Sequence, residues 1–144
     1  MLLKLSKQIV KDIIHDDPVR PHISAEWRTR SGREVYGLYT DESFEELRAV
    51  ICVAYTDEVS TCERDMQWVG TDIAVFYTVW SYDRGAGRDI VFAVADHIKK
   101  NNPDVKRWVT LSPLTEMAKN FHLKNGAKFL NCHMDCQNFE YELD

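Results

Sequence analysis

From Val79 the sequence runs Val-Trp-Ser-Tyr-Asp-Arg-Gly-Ala-Gly-Arg-Asp to Asp89. β-Branched and aromatic residues lead into two glycines flanked by two arginines, and an amphipathic run follows. A strand entering a helix here would present unpaired N–H groups and about half an elementary positive charge. Gly85 and Gly87, on either side of Ala86, would let a phosphate approach the backbone closely. Arg84 and Arg88 add charge within reach of a pyrophosphate. The same turn also suits a plain strand-to-helix connection. A second cluster, Cys132-His133-Met134-Asp135-Cys136, carries thiols, an imidazole and a carboxylate. Its three-residue gap does not match a C-x-x-C pair, and a structural zinc takes four ligands. No metal site is therefore assigned, and Cys52, Cys62, Cys132 and Cys136 are expected as free thiols.

These groups need elements to position them. Leu5, Ile9 and Ile13, with Val10 and Ile14, predict an amphipathic helix over residues 5–15, stopped at Asp16-Asp17-Pro18. Residues 17–25 read as an irregular connection with room for one helical turn. Strands are predicted at Glu34–Tyr39, Arg48–Tyr55 and Asp72–Tyr82, the last central in the sheet. Ile90, Val91, Val94, Ala95 and Ile98 form the stripe of a helix that ends at Asn101-Asn102-Pro103. Arg107–Leu111 reads as a short buried strand. Ser112 and Pro113 read as the N-cap and first position of a second helix, with Leu114, Met117, Ala118 and Phe121 on one face. Gly126 is placed to cap it, and Lys128–Leu143 reads as a hairpin. The order predicts an α/β fold: a mixed sheet with helices on its faces.

The chain has 144 residues, of which 44% are hydrophobic and 28% charged, a length and composition that suit one compact domain over residues 1–144. Net charge is −5 without a block of like charge, which argues against a nucleic-acid surface but leaves room for a small anionic ligand. The apolar runs are too short to span a bilayer and the N-terminus has no apolar signal core, so a cytoplasmic location without membrane contact is expected.

The stretch from Asp83 to Asp89 resembles the acetyl-CoA-binding motif R/Q-x-x-G-x-G/A of the GNAT superfamily of N-acetyltransferases, with Arg84 leading and Gly87 on the first required glycine. Thr115-x-x-Ala118-x-x-Phe121-His122-x-Lys124-x-Gly126 resembles that superfamily's second motif, N-x-x-A-x-x-L-Y-x-K-x-G. Together the motifs cover residues 72–127. The run from Phe76 to Tyr141 also resembles small acetyltransferase-like proteins of tailed phages. The resemblance implies a single-domain GNAT-like fold with a mixed, mostly antiparallel sheet. It implies acetyl-CoA as co-substrate, its pyrophosphate at Arg84, Gly85, Ala86, Gly87, Arg88 and Asp89, and a polar contact from Thr115. The backbone of Tyr77 and Val79 would pair with the pantetheine arm. Asp89 stands where a small residue belongs and would repel a diphosphate unless it turns away. His122 replaces a tyrosine that often protonates the leaving thiolate, and could move a proton near neutrality; a histidine simply bonded to the backbone is the bland alternative. Asp72 is the carboxylate nearest to the strand glutamate that serves many relatives as base.

The function this implies is transfer of acetyl from acetyl-CoA to a small-molecule or protein amine. Thr110-Leu111-Ser112-Pro113 with a downstream histidine also resembles the GNAT-like domain of malonyl-CoA decarboxylases, which makes Ser112 a second candidate catalytic group beside His122. A third reading is a GNAT-like module that binds without turnover. Edge strands of the last hairpin could pair in a homodimer. Trp27, Tyr36 and Trp68 read as core or interface, or as the lining of an acceptor pocket; by the resemblance, the variable loops 17–32 and 56–70 would set acceptor specificity.

Overall fold

The computed structural model describes residues 1–143. Eight strands form one sheet in the order β1-β2-β3-β4-β5-β8-β6, with β7 on the other edge of β8. β1 is Leu2–Lys4, β2 Arg33–Tyr39, β3 Leu47–Thr56 and β4 Ile73–Ser81. β5 is Arg107–Thr110, β6 Ser112–Pro113, β7 Lys128–Cys132 and β8 Cys136–Tyr141. Among the described residues only the β4–β5 pairing is parallel. α3 (Ala86–Asn101) crosses between these two strands.

Both faces of the central strands are apolar, so each face needs a cover. On one, Ile51, Val53 and Phe76 pack against Ile90, Val91, Val94 and Ile98 of α3. On the other, Val50, Cys52, Val75 and Tyr77 pack with Val10 of α1 (Lys7–Ile13) and Ala25 of α2 (Ala25–Thr29). Charged residues pin this second cover. Arg28, with 0% exposure, donates from Nη1 to Asp17 Oδ2 at 2.8 Å and from Nε to the Ile23 carbonyl at 2.9 Å. Asp17 Oδ1 in turn accepts from the N–H groups of Val19 and Arg20. A buried pair that is fully bonded tolerates burial, whereas removing one partner strands a charge.

Several elements differ from the expectations. β1 is an additional edge strand, paired Leu2 to Leu38, too short to show an alternation in sequence. α1 begins at Lys7, because Ser6 Oγ accepts from Ile9 N and leaves Leu5 before the helix. Ser24 caps α2 in the same way through Trp27 N, so the helical turn falls at Ala25–Thr29, just past the 17–25 connection in which room for one was expected. Ser112 is no N-cap. It stays extended in β6, opposite Gln137, whose Nε2 donates to the carbonyls of Pro113 and Thr115. Thr115 caps α4 (Glu116–Lys124), its hydroxyl accepting from Ala118 N. Gly126 follows that helix at φ +95°, where its N–H bonds the Leu123 carbonyl.

Candidate functional site

β5 and β6 behave as one strand broken at Leu111. The first part pairs with both β4 and β8, the second with β8 alone. β4 runs on to Ser81 with no partner on that side after Leu111 N meets the Phe76 carbonyl. At the point of parting β4 has a bulge: Cys52 faces Thr78 and Val53 faces Phe76, which leaves Tyr77 as the extra residue. The Tyr77 carbonyl accepts from Nη1 of Arg20. Farther on, Tyr82 N–H donates to the Arg48 carbonyl beside β3. Because strand groups alternate, the N–H and C=O of Val79 and Ser81 turn the other way, towards the gap.

The gap opens into a cleft of about 880 Å³ that reaches both faces of the sheet. Val79, Gly87, Met117, Phe121 and His122 line it on the α3 and α4 side, and Asp16, Pro18, Val19 and Trp80 on the other. The apolar stripe expected on α4 is thus only partly core. Met117 is 83% exposed as a cleft wall, and Leu114 is exposed too.

The glycine turn stands at one end. Gly85 holds φ +83°, a conformation costly for any side chain, and serves as the α3 N-cap. Ala86 N bonds Asp83 O and Asp89 N bonds Gly85 O, so the N–H groups of Gly87 and Arg88 have no carbonyl partner among the described residues. A Cβ on Gly87 would stand 3.2 Å from the Phe121 ring, so glycine lets α3 and α4 close on each other. Asp89 turns away from the turn: its Oδ2 accepts from Arg48 Nη2 at 3.3 Å, while Arg48 Nε bonds Asp83 at 3.0 Å. Arg88 reaches Asn125 at 3.4 Å and lies over the Phe92 ring. Arg84 is exposed. The turn therefore offers open N–H groups with its carboxylates already paired, which suits an anion such as a pyrophosphate.

His122 and Ser112 share the cleft, and both are buried. His122 Nδ1 lies 2.8 Å from the Tyr141 hydroxyl, and its ring stacks on Phe139. Burial pushes its pKa down to about 4, so the imidazole is neutral at pH 7. Burial also raises the Tyr141 phenol to about 12, which keeps its proton for Nδ1 and leaves Nε2–H as a donor. Ser112 Oγ is 2.8 Å from Thr110 Oγ1, which accepts from Phe139 N at 3.0 Å. With Thr110 donating to Ser112, the Ser112 proton is free for the cleft.

Asp72 stands apart. It precedes the far end of β4, where its carbonyl accepts from Lys106 and Arg107 N, and it is not a cleft residue. Tyr77, Val79, Gly87 and Thr115 do line the cleft. Trp27 packs edge-on against Tyr77 beneath Arg33, Tyr36 is core and Trp68 is 72% exposed; none lines the cleft. Asp16, Thr78 and Trp80 were missed as site residues. The sequence signal for Thr78 is a hydroxyl in an otherwise apolar strand. Asp16 carries none, since it looks like an ordinary helix stop. All four cysteines are free. Among the described residues no helix is long and apolar enough to cross a membrane.

No family model and no curated protein matches the sequence. Solved structures do match the fold. Malonyl-CoA decarboxylase from Agrobacterium vitis superposes with a TM-score of 0.81 at 15% identity, over 100% of this chain and 60% of that one. Malonyl-CoA decarboxylase from Rhodopseudomonas palustris gives 0.73 at 17% identity, over 99% and 60%. PaiA N-acetyltransferase from Thermoplasma acidophilum, in complex with coenzyme A, gives 0.69 at 14%, over 99% and 98%. The chain thus spans about 60% of the length of these two decarboxylases. The mixed, mostly antiparallel GNAT-like sheet expected from the sequence is the fold observed.

Proposed function

We propose that this chain binds an acyl-CoA in the cleft and removes carbon dioxide from a short β-carboxyacyl group, of which malonyl-CoA is the simplest. One observation carries the reading: Ser112 and His122 bring two neutral donors to a cleft whose lining contains no lysine or arginine. Coenzyme A would be held by the open N–H groups at Gly87 and Arg88, by the Val79 and Ser81 backbone edge, and by Thr115. A carboxylate carried inside would meet no cation to stabilise it, and its loss as neutral carbon dioxide relieves that. As the C–C bond breaks, its electron pair moves into the thioester enolate. The Ser112 O–H and His122 Nε2–H donate to the enolate oxygen, where charge develops. Cα then takes up one proton from solvent, giving acetyl-CoA. A neutral His122 cannot itself be the net source, because giving up its proton would leave an imidazolate. Likeness to the decarboxylases over the whole chain supports the reading.

A second reading, acetyl transfer to an amine, is favoured by Asp16. This carboxylate at the cleft accepts from the Tyr82 hydroxyl at 2.6 Å and could hold an ammonium. The coenzyme A complex of PaiA N-acetyltransferase supports it too. Asp72 is outside the cleft and His122 is a weak base, which leaves Asp16 as the carboxylate that would take the amine's proton. Incubation with malonyl-CoA separates the readings. The first expects acetyl-CoA in place of malonyl-CoA, slowed about 10²–10³-fold by Ser112→Ala. Acetylation across an amine panel without malonyl-CoA turnover selects the second.

A further inference from the structure

Five charged side chains crowd the turn that opens α3. Arg84 and Arg88 belong to it and Asp83 and Asp89 flank it, while Arg48 comes from β3, brought alongside by the bond from Tyr82 N–H to its carbonyl. Arg84 is exposed, and Arg88 is turned to Asn125 and the Phe92 ring. Among the described residues Arg48 alone pairs with the two carboxylates, Nε with Asp83 Oδ2 at 3.0 Å and Nη2 with Asp89 Oδ2 at 3.3 Å. Exposed pairs of this kind add little to folding stability. Their effect on a ligand is another matter. Carboxylates at the start of a helix are drawn to its unpaired N–H groups and to the positive end of its dipole. Left uncovered, Asp83 and Asp89 would compete for the N–H groups of Gly87 and Arg88 that an anion needs. Arg48 draws both to one side. Three arginines against two aspartates leave the neighbourhood at +1, and without Arg48 two against two leave it at zero.

We infer that Arg48 is the positioning residue that keeps the anion site open, holding Asp83 and Asp89 off the turn without itself touching the ligand. The inference rests on coenzyme A binding, which both functional readings share, and adds a residue that lies outside both sequence motifs. It also gives the site a selectivity. A thioester carried on a pyrophosphate gains from Arg48, whereas one carried on bare pantetheine gains nothing.

The test uses the whole chain as wild type, as Arg48→Ala, and as Arg48→Ala combined with Asp83→Asn and Asp89→Asn. Coenzyme A is titrated calorimetrically, and inorganic pyrophosphate is followed by the amide shifts of Gly87 and Arg88. Arg48→Ala is expected to weaken both ligands about tenfold at about 0.1 M salt, and the difference should shrink at about 1 M as the charges are screened. The triple variant should regain wild-type affinity or exceed it, since no carboxylate remains to compete. Thermal unfolding, which exposed pairs barely move, checks that each variant is folded. Affinities unaltered by Arg48→Ala overturn the inference. So does a triple variant as weak as Arg48→Ala, because Arg48 would then be a direct ligand contact. A wild type that binds pyrophosphate but not coenzyme A sinks the acyl-CoA reading and leaves Arg48 to be judged on pyrophosphate; a wild type that binds neither sinks both.

Discussion

The two sides of β4 are built by opposite means. On the α3 and α4 side, the turn at Gly85, the helix after it and the Thr115-to-Gly126 segment are each local in sequence, and Arg48 is the distant residue that pairs the turn's carboxylates. On the other side, the wall is formed by Asp16, at the end of a 3₁₀ turn (Ile14–Asp16), and by Pro18 and Val19 of the irregular chain after it, held down by Asp17, Arg20 and Arg28. Arg20 reaches fifty-seven residues along the chain to the Tyr77 carbonyl at the bulge. Local capping suffices where a helix frames the site. Where a loop frames it, buried charge replaces regular hydrogen bonding, and the site's geometry depends on the stability of that network.

Arg28→Ala should show the difference most strongly. It leaves Asp17 buried without its cation and is expected to cost about 3–5 kcal/mol in denaturant unfolding. Arg48→Ala, at the exposed ion pairs of the other side, should lower unfolding stability far less. A small loss for Arg28→Ala would erase the contrast. Ser112→Ala tests the chemistry more than the frame: about 3 kcal/mol of barrier from one lost donor, and about 1–3 kcal/mol of unfolding stability because the buried Thr110 hydroxyl loses its acceptor.

His122 gives a pH signature. Its folded pKa of about 4 lies below its ordinary 6.5, so the unfolded chain binds the proton more readily. Its contribution to stability is therefore full above pH 6.5 and is lost as the pH falls through about 4, by up to about 3 kcal/mol. Carboxylates such as Glu34 and Glu140, held low by their partners, also lose stability in acid. The readout is thus the difference between wild type and His122→Phe at pH 7 and pH 4, and equal slopes would contradict a buried neutral imidazole. The smallest effect belongs to Asp72→Asn, which should leave turnover within about twofold, since the residue stands outside the cleft.

The sequence was most readable where structure is local. Period and punctuation placed β4, α3 and the closing hairpin, because each signal lies within one element. Ser112 shows the limit. Ser-Pro before an amphipathic run is good capping chemistry, yet pairing with Gln137, twenty-five residues on, keeps it extended and moves the cap to Thr115. Leu114 and Met117 fit a core stripe by spacing and instead face open space, since periodicity does not distinguish a core from a cleft. Asp89 looked hostile to a diphosphate because Arg48, its partner, is forty-one residues away. His122 was identified by its motif, but its low pKa follows from burial beside Phe139 and Tyr141, which the motif does not contain. Asp16 and Thr78 reach the site through the break at Leu111 and the bulge at Tyr77, features of strand pairing alone.

Release of label from malonyl-CoA carrying isotopic carbon in its free carboxyl group tests the central claim most directly. Decarboxylation in the cleft predicts labelled carbon dioxide in step with unlabelled acetyl-CoA, and slow release from Ser112→Ala. Label that stays in malonyl-CoA, or appears on an amine, would contradict it.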